Sequence, residues 1–544
     1  MTNGGIMRGT LWLLGIFVVS LGCQKESDMG LQPASEPPSK PAPVSAQVIP
    51  LKSTVNIDVS ARRPAMKLSE YGLFEDMTKQ IPSAGVIPYV LNAWSFVDNA
   101  SQRGLVYIPP DQTAGYQSDQ AFTFPTGSVL IQHIRFPLDQ RHPAEGDRLV
   151  ETRLLIHMAK GWVGVPYLWN DDFTDAERSV IGAKTDINWT RSDGTPGSFK
   201  YVTPNMNECK RCHVNEDRML PIGVTAANLN RSMTFGGSET NQLKHWQALG
   251  LLEGVPDDVH DVPRLPDWRD ASAATVERRA RCWLDVNCSH CHNPHGPAST
   301  SGLDLTFGQD QPVRYGVYKP PVAAGRGSQG LRFSIVPGRP DESFLVHRIG
   351  SVELGVMMPP LGRSGVDHEG VALIRAWITE MQVDEALAEA ALNPMKAYQD
   401  ASVGGDAERG RVLFHKVQKC VTCHRVGDTG GSVGPDLSDV GKRTKRQYLL
   451  ESIVLPSAKI VKGFETQVFV MADGRVITGT VQSEDQLEVV IRDARHQTRI
   501  EKAQIDDRVV SEVSTMPSMA NLLTVDNVRD LIAYLVTLQT TSKE

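Results

Sequence analysis

Three copies of the pentapeptide Cys-x-x-Cys-His are the feature that most restricts how this chain of 544 residues can fold. The spacing is the attachment signature of c-type haem, in which two thiols form thioethers with the vinyl groups and the adjacent histidine ligates the iron. We therefore predict three covalent haems around which the chain folds. The predicted attachment points are Cys209, Cys212, Cys288, Cys291, Cys420 and Cys423, and the predicted proximal ligands are His213, His292 and His424.

Two other interpretations of Cys-x-x-Cys are a zinc half-site and a thioredoxin-like redox pair. A zinc site would use two such pairs without a fixed adjacent histidine, and a thioredoxin motif would lie in a βαβ pattern. Neither explains a histidine that recurs three times, so the pattern favours haem and, with it, electron transfer. Cys282 lies outside the motifs, and we expect it to be a small buried apolar residue.

The N-terminus has the pattern of an export signal. Arg8 precedes the apolar stretch Leu11–Gly22, which is too short to span a bilayer. Gly22-Cys23 resembles the lipobox of bacterial lipoproteins, in which the cysteine is lipidated, although Ser20 departs from the usual aliphatic residue. We predict export to the periplasm or cell envelope and a membrane anchor through lipid on Cys23. Simple cleavage nearby and an uncleaved anchor are the alternatives.

Composition excludes one class of partner. Apolar residues make up 40% of the chain and charged residues 22%, as in ordinary globular proteins. The formal charge of −7 and the pI near 6.1 provide no basic footprint for nucleic acid. We expect redox partner proteins instead, with a weak, salt-dependent preference for basic ones. The sequence leaves the oligomeric state open.

Local patterns divide the chain into segments. Runs with strand character at 129–136, 148–158 and 161–169 predict a β-rich domain, such as a sandwich. Helical spacing predicts an amphipathic helix over 368–381, and Thr524 is a predicted N-cap of the last helix. The predicted segments are a signal peptide 1–23, a flexible linker 24–60, a β-rich domain 61–203, a first haem segment 204–265, a second haem domain 266–385, a linker 386–404, and a third haem domain 405–540. The stretch 254–267, at the boundary of the first two haem segments, has linker composition. The third domain is predicted to contain a β insert at about 464–506 with an Asp473-Gly474 turn.

Methionines before the last helix of each later haem domain are candidate sixth ligands. In the third domain Met516 is the predicted distal ligand, with Met519 as its competitor. The Pro435 carbonyl is predicted to accept a hydrogen bond from His424 and so to orient the ring. In the second domain Met358 is the predicted ligand, and Met357 is the alternative.

The first haem segment has no such methionine. Conceivable partners for His213, none of them preferred, are Met219, Met206, Met233, Met158 and His157. An open sixth position, which would bind peroxide or another small ligand, is a further possibility. We interpret His290, His295 and His347 as ordinary residues.

From about 72 to 381 the chain resembles a bacterial family of di-haem c-type cytochromes. The stretches that carry the resemblance are RLVETRLL, GWVGVPYLWN, CKRCH with PIG and NLN, WLDVNCSHCHNPHGPASTSGLDL, VPGRPDESFL and MMPPLGR. The resemblance implies His213 and His292 as proximal ligands and supports the haem count more than a particular role.

From about 405 to 538 the chain resembles the haem-binding cytochrome c domain that ends many exported bacterial proteins. The matching stretches are RGRVLFHKVQKCVTCHRVGDTGGSVGPDLSDVGKR, YLLESIVLPSAKIVKGFET, DGRVITGTV and STMP. The resemblance implies a proximal His424 and supports a distal Met516. The predicted fold class is multidomain α+β, with a β-rich N-terminal domain followed by mainly α-helical cytochrome c-like haem domains, the last with a small β insert.

Three functions fit these patterns. The first is electron transfer by an exported, lipid-anchored tri-haem c-type cytochrome. The second is a multi-haem, peroxidase-like oxidoreductase in which one haem has an open site. The third is a binding module, in which the β-rich domain recognises a carbohydrate or partner enzyme and the haems are its electron outlet.

Overall fold

The computed structural model describes residues 54–142, 145–191, 193–216, 218–235, 237–322, 325–417, 420–472, 476–492, 497–520 and 522–539. The predicted signal peptide with Cys23, most of the predicted linker 24–60 and the Asp473-Gly474 turn lie outside these residues. No helix within the described ranges is both long enough and apolar enough to cross a membrane.

The N-terminal region is rich in β-strands, as predicted. Its strands are β1 (Phe74–Asp76), β2 (Ile81–Pro82), β3 (Val86–Tyr89), β4 (Ser101–Tyr107), β5 (Ala114–Gly115), β6 (Val129–Pro137), β7 (Asp147–Met158), β8 (Gly161–Trp169), β9 (Ala176–Arg178), β10 (Ala183–Thr190) and β11 (Pro196–Thr203). An antiparallel six-stranded sheet has the order β3-β4-β6-β7-β8-β9, and β10 and β11 form a separate hairpin. The β-branched and aromatic residues of β6 to β8 favour this extended conformation.

The first Cys-x-x-Cys-His begins a mixed segment that returns to the sheet. Its elements are α1 (Met206–His213), β12 (Val214–Asn215), β13 (Arg218–Met219), α2 (Ala226–Leu229), β14 (Ser232–Phe235), β15 (Ser238–Asn241), α3 (Gln242–Ala248) and β16 (Leu252–Glu253). β16 pairs in parallel with β5, so the segment is joined to the β-rich region by backbone hydrogen bonds.

Apolar residues cover both faces of the six-stranded sheet. On one face Leu154 and Ile156 of β7 pack with Leu68, in the chain before β1. On the other face Leu155 belongs to the same core as Trp246 of α3. Successive side chains of a strand point to opposite faces of the sheet, so the consecutive residues Leu154, Leu155 and Ile156 contribute to both cores. Helices of the first haem segment therefore occupy the place that a second sheet would take in the sandwich suggested by the sequence.

The second haem region is helical around its core. Its helices are α4 (Val276–Leu284), α5 (Phe344–Ile349) and α6 (His368–Glu380). Trp283 of α4 and Trp377 of α6 share one apolar core. The Trp283 Nε1 also donates to the carboxylate of Asp367, the N-cap of α6, at 2.7 Å. A π-helical turn over Asp285–Ser289 continues α4 to the second Cys-x-x-Cys-His.

The segment 386–404, predicted as a linker, contains two helices. They are α7 (Glu385–Leu392) and α8 (Pro394–Ala397). Leu387 of α7 packs against the core of the second haem region. Tyr398 and Ala401, which follow α8, are buried in the core of the third. The segment therefore packs against both neighbouring cores.

The third region combines helices with a small sheet. Its elements are α9 (Ala407–Val412), β17 (Arg425–Val426), β18 (Thr429–Gly430), α10 (Val440–Arg443), α11 (Arg446–Val454), β19 (Thr466–Met471), β20 (Val476–Glu484), β21 (Glu488–Arg492), β22 (Gln497–Glu501), β23 (Ile505–Ser511) and α12 (Val525–Thr537). The inserted sheet is antiparallel, in the order β22-β21-β20-β19-β23. It extends to Ser511, past the predicted end of the insert near residue 506.

The first and last helices of the third region cross at a glycine. A Cβ on Gly410 of α9 would collide with the carbonyl oxygen of Asp530 in α12. The Asp530 carboxylate also accepts hydrogen bonds from the Asp406 backbone N–H and the Arg409 Nε, both at 2.7 Å. The crossing therefore brings the two backbones closer than any larger residue permits.

We expect Gly410→Ala to lower the free energy of unfolding by about 2 kcal/mol, because the helices must separate to admit the methyl group. Thermal unfolding measures the loss. Gly308→Ala is the control, since a Cβ there meets no atom within 4 Å, and we expect it to change stability by less than about 1 kcal/mol. Equal effects of the two substitutions would contradict a close crossing.

Candidate haem-binding sites

The third Cys-x-x-Cys-His lies after α9, and Cys420 begins a 3₁₀ turn over Cys420–Thr422. The following chain returns so that the Pro435 carbonyl oxygen lies 2.9 Å from Nδ1 of His424. Gly434 lies against the face of the same ring, and a Cβ on it would be 2.6 Å from Cε1. Only glycine permits this approach, so the loop holds the imidazole in one orientation.

The second motif follows the π-helical turn that ends α4. His292 Nδ1 lies 2.9 Å from the Ser301 hydroxyl oxygen. That hydroxyl donates its own proton to the Ala298 carbonyl at 2.7 Å. Ser301 therefore accepts from His292, and the ring carries its proton on Nδ1.

The first motif lies on α1. Asn205 caps this helix by accepting from the backbone N–H groups of Asn207 and Glu208, and the Glu208 carboxylate accepts from the Asn205 N–H in return. His213, the last residue of α1, has its Nδ1 2.8 Å from the Leu220 carbonyl oxygen. A hairpin of β12 and β13 brings Leu220 back to the ring.

All three histidines have the same arrangement. Nδ1 is engaged by an oxygen acceptor, and among the described residues no hydrogen bond engages Nε2. Burial lowers the pKa of each imidazole, to about 4 for His292. The rings are therefore neutral at pH 7, with the Nε2 lone pair free to ligate a metal. This donor set, with two thiols beside it, fits covalent haem.

The structure distinguishes the two methionines of the third region. Met519 packs against the apolar core of α11 and α12, and its backbone N–H donates to the Ile453 carbonyl at 3.0 Å. Met516 is half-buried and lies outside that core. Its backbone N–H donates to the Ser514 hydroxyl at 3.1 Å, which fixes the turn that presents it.

The loop of Met358 is held by a buried arginine. Arg363 is 8% exposed, and its guanidinium donates to the carbonyls of Met358 at 2.9 Å and Ser351 at 2.7 Å. Met358 is half-buried and lines a small cleft with Asn287, the residue before Cys288. Met357 is buried.

The five candidate partners of His213 lie in different places. Met219 and Cys209 both contact Gly164 on β8. Met158 belongs to the core on the opposite face of the sheet from Gly164. The His157 ring stacks on Trp162, and its Nδ1 lies 2.9 Å from the Phe124 carbonyl. The structure thus brings only Met219 of these three beside the motif, while Met206 and Met233 are half-buried.

The first and second motifs are neighbours. Contact with the Cys291 thiol lowers the pKa of Cys212, and Cys291 Sγ lies 3.8 Å from the Arg211 carbonyl oxygen. Beside them His295 Nδ1 lies 3.1 Å from the Glu216 carboxylate. The half-buried ring of His290, which sequence analysis treated as ordinary, also contacts Cys212. Residues about eighty positions apart thus form one site.

Several charged residues near the motifs were not found by sequence analysis. Lys319 and Arg348 lie near His292 and lower its pKa. Glu151 and Arg153 of β7 form a buried pair near Cys209. Glu151 and Arg153 lie between the apolar pairs Leu149-Val150 and Leu154-Leu155 of β7, a signal that could have indicated a buried pair. Lys319 is the only lysine between residues 266 and 385, but nothing in its local sequence shows that it is buried.

A known protein family matches the part of the chain that contains the third Cys-x-x-Cys-His. Residues 407–476 match the family model of cytochrome c. The chain therefore contains a cytochrome c domain, which supports a covalently bound c-type haem and a role in electron transfer. No curated protein matches the chain. The di-haem resemblance of residues 72–381, the predicted domain boundaries and the predicted ligands stay predictions.

Proposed function

We propose that this chain is an exported, lipid-anchored tri-haem c-type cytochrome that transfers electrons through covalently bound haems. The observation that carries the proposal is the threefold recurrence of a neutral histidine with Nδ1 bonded and Nε2 available, each beside two thiols. Bound haem iron supplies the reversible one-electron change between ferric and ferrous states. The residues of the chain attach the cofactor, orient each imidazole and exclude water.

The contacts between the first two motifs favour electron exchange between them. Cys212 and Cys291 are predicted attachment points of different motifs, and their thiols lie close enough that each shifts the pKa of the other. The His295–Glu216 pair and the bond from the Glu216 N–H to the His295 carbonyl, at 3.0 Å, fix the two segments together. We infer that these two sites act as one unit and that the third, in its own core, passes electrons to or from that unit.

The proposed location rests on Cys23 and the apolar stretch before it. A lipid on Cys23 would hold the haem regions on a membrane surface through the 24–60 linker. A soluble redox protein or a membrane complex is the proposed partner, and the formal charge of −7 favours a basic surface on it. Membrane fractionation, with the intact mass of the mature N-terminus, tests this location.

Haem stoichiometry by pyridine haemochrome tests the haem count. We expect three covalent haems per chain after coexpression with a c-type maturation system. Replacing both cysteines of one motif by alanine, for example Cys420 and Cys423, should leave two, because no thioether can form there. Cys282→Ala is the matched control and should keep three, since this buried thiol lies outside the motifs.

Two haems in the unaltered protein would return the first motif to the zinc or dithiol interpretation. Their complete absence would overturn the proposal.

A cleft favours the binding module as a second candidate function. It has a volume of about 420 Å³ and lies between the β10–β11 hairpin and the turn before α6. Phe136, Trp189 and Phe199 line it together with Lys200 and His368. Aromatic walls with polar groups among them are typical of small-molecule sites. Carbohydrate binding that Trp189→Ala abolishes would support this function over simple carriage between proteins.

A further inference from the structure

Lys319 is a buried cation. The residue is 4% exposed, and among the described residues no carboxylate or hydrogen-bond acceptor contacts its Nζ. Burial lowers its pKa to about 8, so most of the population still carries the charge at pH 7. An unpaired charge in the interior is strongly unfavourable unless an anion compensates it. The ammonium group therefore indicates that a ligand with negative charge belongs beside it.

The position of Lys319 connects it to the second motif. A Cβ on Gly302 would lie 3.2 Å from the Lys319 Nζ. Gly302 follows Ser301, whose hydroxyl holds Nδ1 of His292. The Lys319 backbone is fixed by the bond from the Ser334 N–H to its carbonyl, at 2.8 Å. The ammonium group is thus held beside the loop that orients the proximal histidine.

Arg348 is a second cation of the same kind. Its Nε donates to the Val356 carbonyl at 2.9 Å, and within the described ranges no carboxylate pairs with its guanidinium. Burial lowers its pKa to about 10. The Arg348 carbonyl accepts from the Met358 N–H at 3.0 Å, and Met358 lines the cleft with Asn287, next to Cys288. Two cations without a described counter-charge therefore lie beside the loops of the second motif.

We propose that Lys319 and Arg348 form a binding site for carboxylates, and that these are the propionate groups of the haem attached at Cys288 and Cys291. The inference rests on the proposed function, because it requires haem at this motif. Two propionates match two cations, and charge-assisted hydrogen bonds to carboxylates are about twice as strong as neutral ones. A free carboxylate anion is the other source of the same chemistry.

The test uses full-length protein carrying its haems and compares Lys319→Gln with Lys319→Arg. The resonance Raman propionate-bending band reports hydrogen bonding to the propionates, and redox titration reports the midpoint potentials. In Lys319→Gln we expect the band to shift and one of three midpoints to fall, because the lost cation favoured the ferrous state. Lys319→Arg should retain the wild-type values more closely. Arg339→Gln is the control, since Arg339 is exposed and paired with Glu342.

Each other outcome overturns the inference in a distinct way. If Lys319→Gln behaves like Arg339→Gln in both measurements, the cations do not bind propionate. If the Raman band is unchanged but added acetate shifts one midpoint of the wild-type protein, the site binds a free carboxylate instead. The haem stoichiometry distinguishes a failure of the proposed function from a failure of this inference alone. A missing haem at the second motif contradicts the proposed function, whereas three haems with an unshifted band contradict only this inference.

Discussion

Replacing Met516 by alanine is expected to lower the midpoint potential of one haem by on the order of 100 mV, since the axial ligands set potentials over a range of about 0.8 V. A neutral thioether stabilises the ferrous state, so its loss favours the ferric state and the potential falls. Met516 is half-buried, lies outside the apolar core and belongs to a turn fixed at Ser514, so its thioether is not part of that core. Ser514 is itself anchored by its N–H to the Ser457 hydroxyl, at 3.1 Å.

Met519→Leu is the matched control for this prediction. Met519 packs in the core, and a leucine of similar volume should leave the measured potentials nearly unchanged. Redox titration gives the potentials, and the charge-transfer absorption of methionine-ligated ferric haem gives an independent signal that Met516→Ala should abolish. The reverse result, in which only Met519→Leu lowers a potential, would assign the ligand to Met519.

Local sequence patterns predicted the regular elements near the sites. The runs at 129–136, 148–158 and 161–169 correspond to β6, β7 and β8 within one residue, because their alternation and β-branched content act over neighbouring positions. The helix predicted over 368–381 ends one residue earlier, at Glu380. Thr524 caps α12 by accepting from the Asn527 N–H at 3.1 Å. For each of these elements, the pattern of a few neighbouring residues was sufficient for the prediction.

Packing between distant segments could not be predicted in this way. The stretch 254–267 has the Pro and Asp content of a linker, yet Leu265 is buried in the second core, close to Trp268 just beyond the stretch. A few apolar residues anchor such a segment even when its average composition is polar. The parallel pairing of β5 with β16 joins residues far apart in the chain, and no periodic pattern marks it.

At the sites, too, local sequence patterns were predictable, whereas contacts between distant segments were not. A hydrogen bond from His424 to Pro435 was expected from the loop pattern after the third motif, and the structure has one at 2.9 Å. The acceptors at His213 and His292 are a backbone carbonyl and a serine hydroxyl, which depend on how each following loop returns. Sequence spacing fixes the thiols and the histidine, but the path of the chain decides what surrounds them.

Replacing Glu151 by glutamine is expected to lower the free energy of unfolding by about 3 kcal/mol, the lower end of the cost of breaking a buried ion pair, because the Arg153 side chain is 24% exposed. Glu151 is fully buried, and its carboxylate accepts from Arg153 Nε at 2.8 Å and from the Tyr201 hydroxyl. Arg153 also donates to the Tyr201 hydroxyl at 2.9 Å. Without the carboxylate, the half-buried guanidinium loses its counter-charge.

Because Glu151 and Arg153 lie near the first motif, Glu151→Gln is also expected to change a haem midpoint potential. Arg153 and Glu151 both act on the pKa of Cys209, in opposite directions, so the pair lies close to the first attachment site. An uncompensated Arg153 would favour the ferrous state there, and we expect the midpoint potential of one haem to rise. Thermal unfolding, hydrogen exchange of β7 and redox titration measure the two effects.

Two further variants decide whether the cause is the buried charge. Asp186→Asn removes an exposed ion pair with Lys200 on the neighbouring hairpin, and we expect it to cost less than about 0.5 kcal/mol. Replacing the whole network by Glu151→Leu, Arg153→Met and Tyr201→Phe should recover most of the stability, because no unpaired polar group then remains. If the triple variant is as unstable as Glu151→Gln, lost packing rather than the unpaired guanidinium destabilises the sheet beneath the first haem motif.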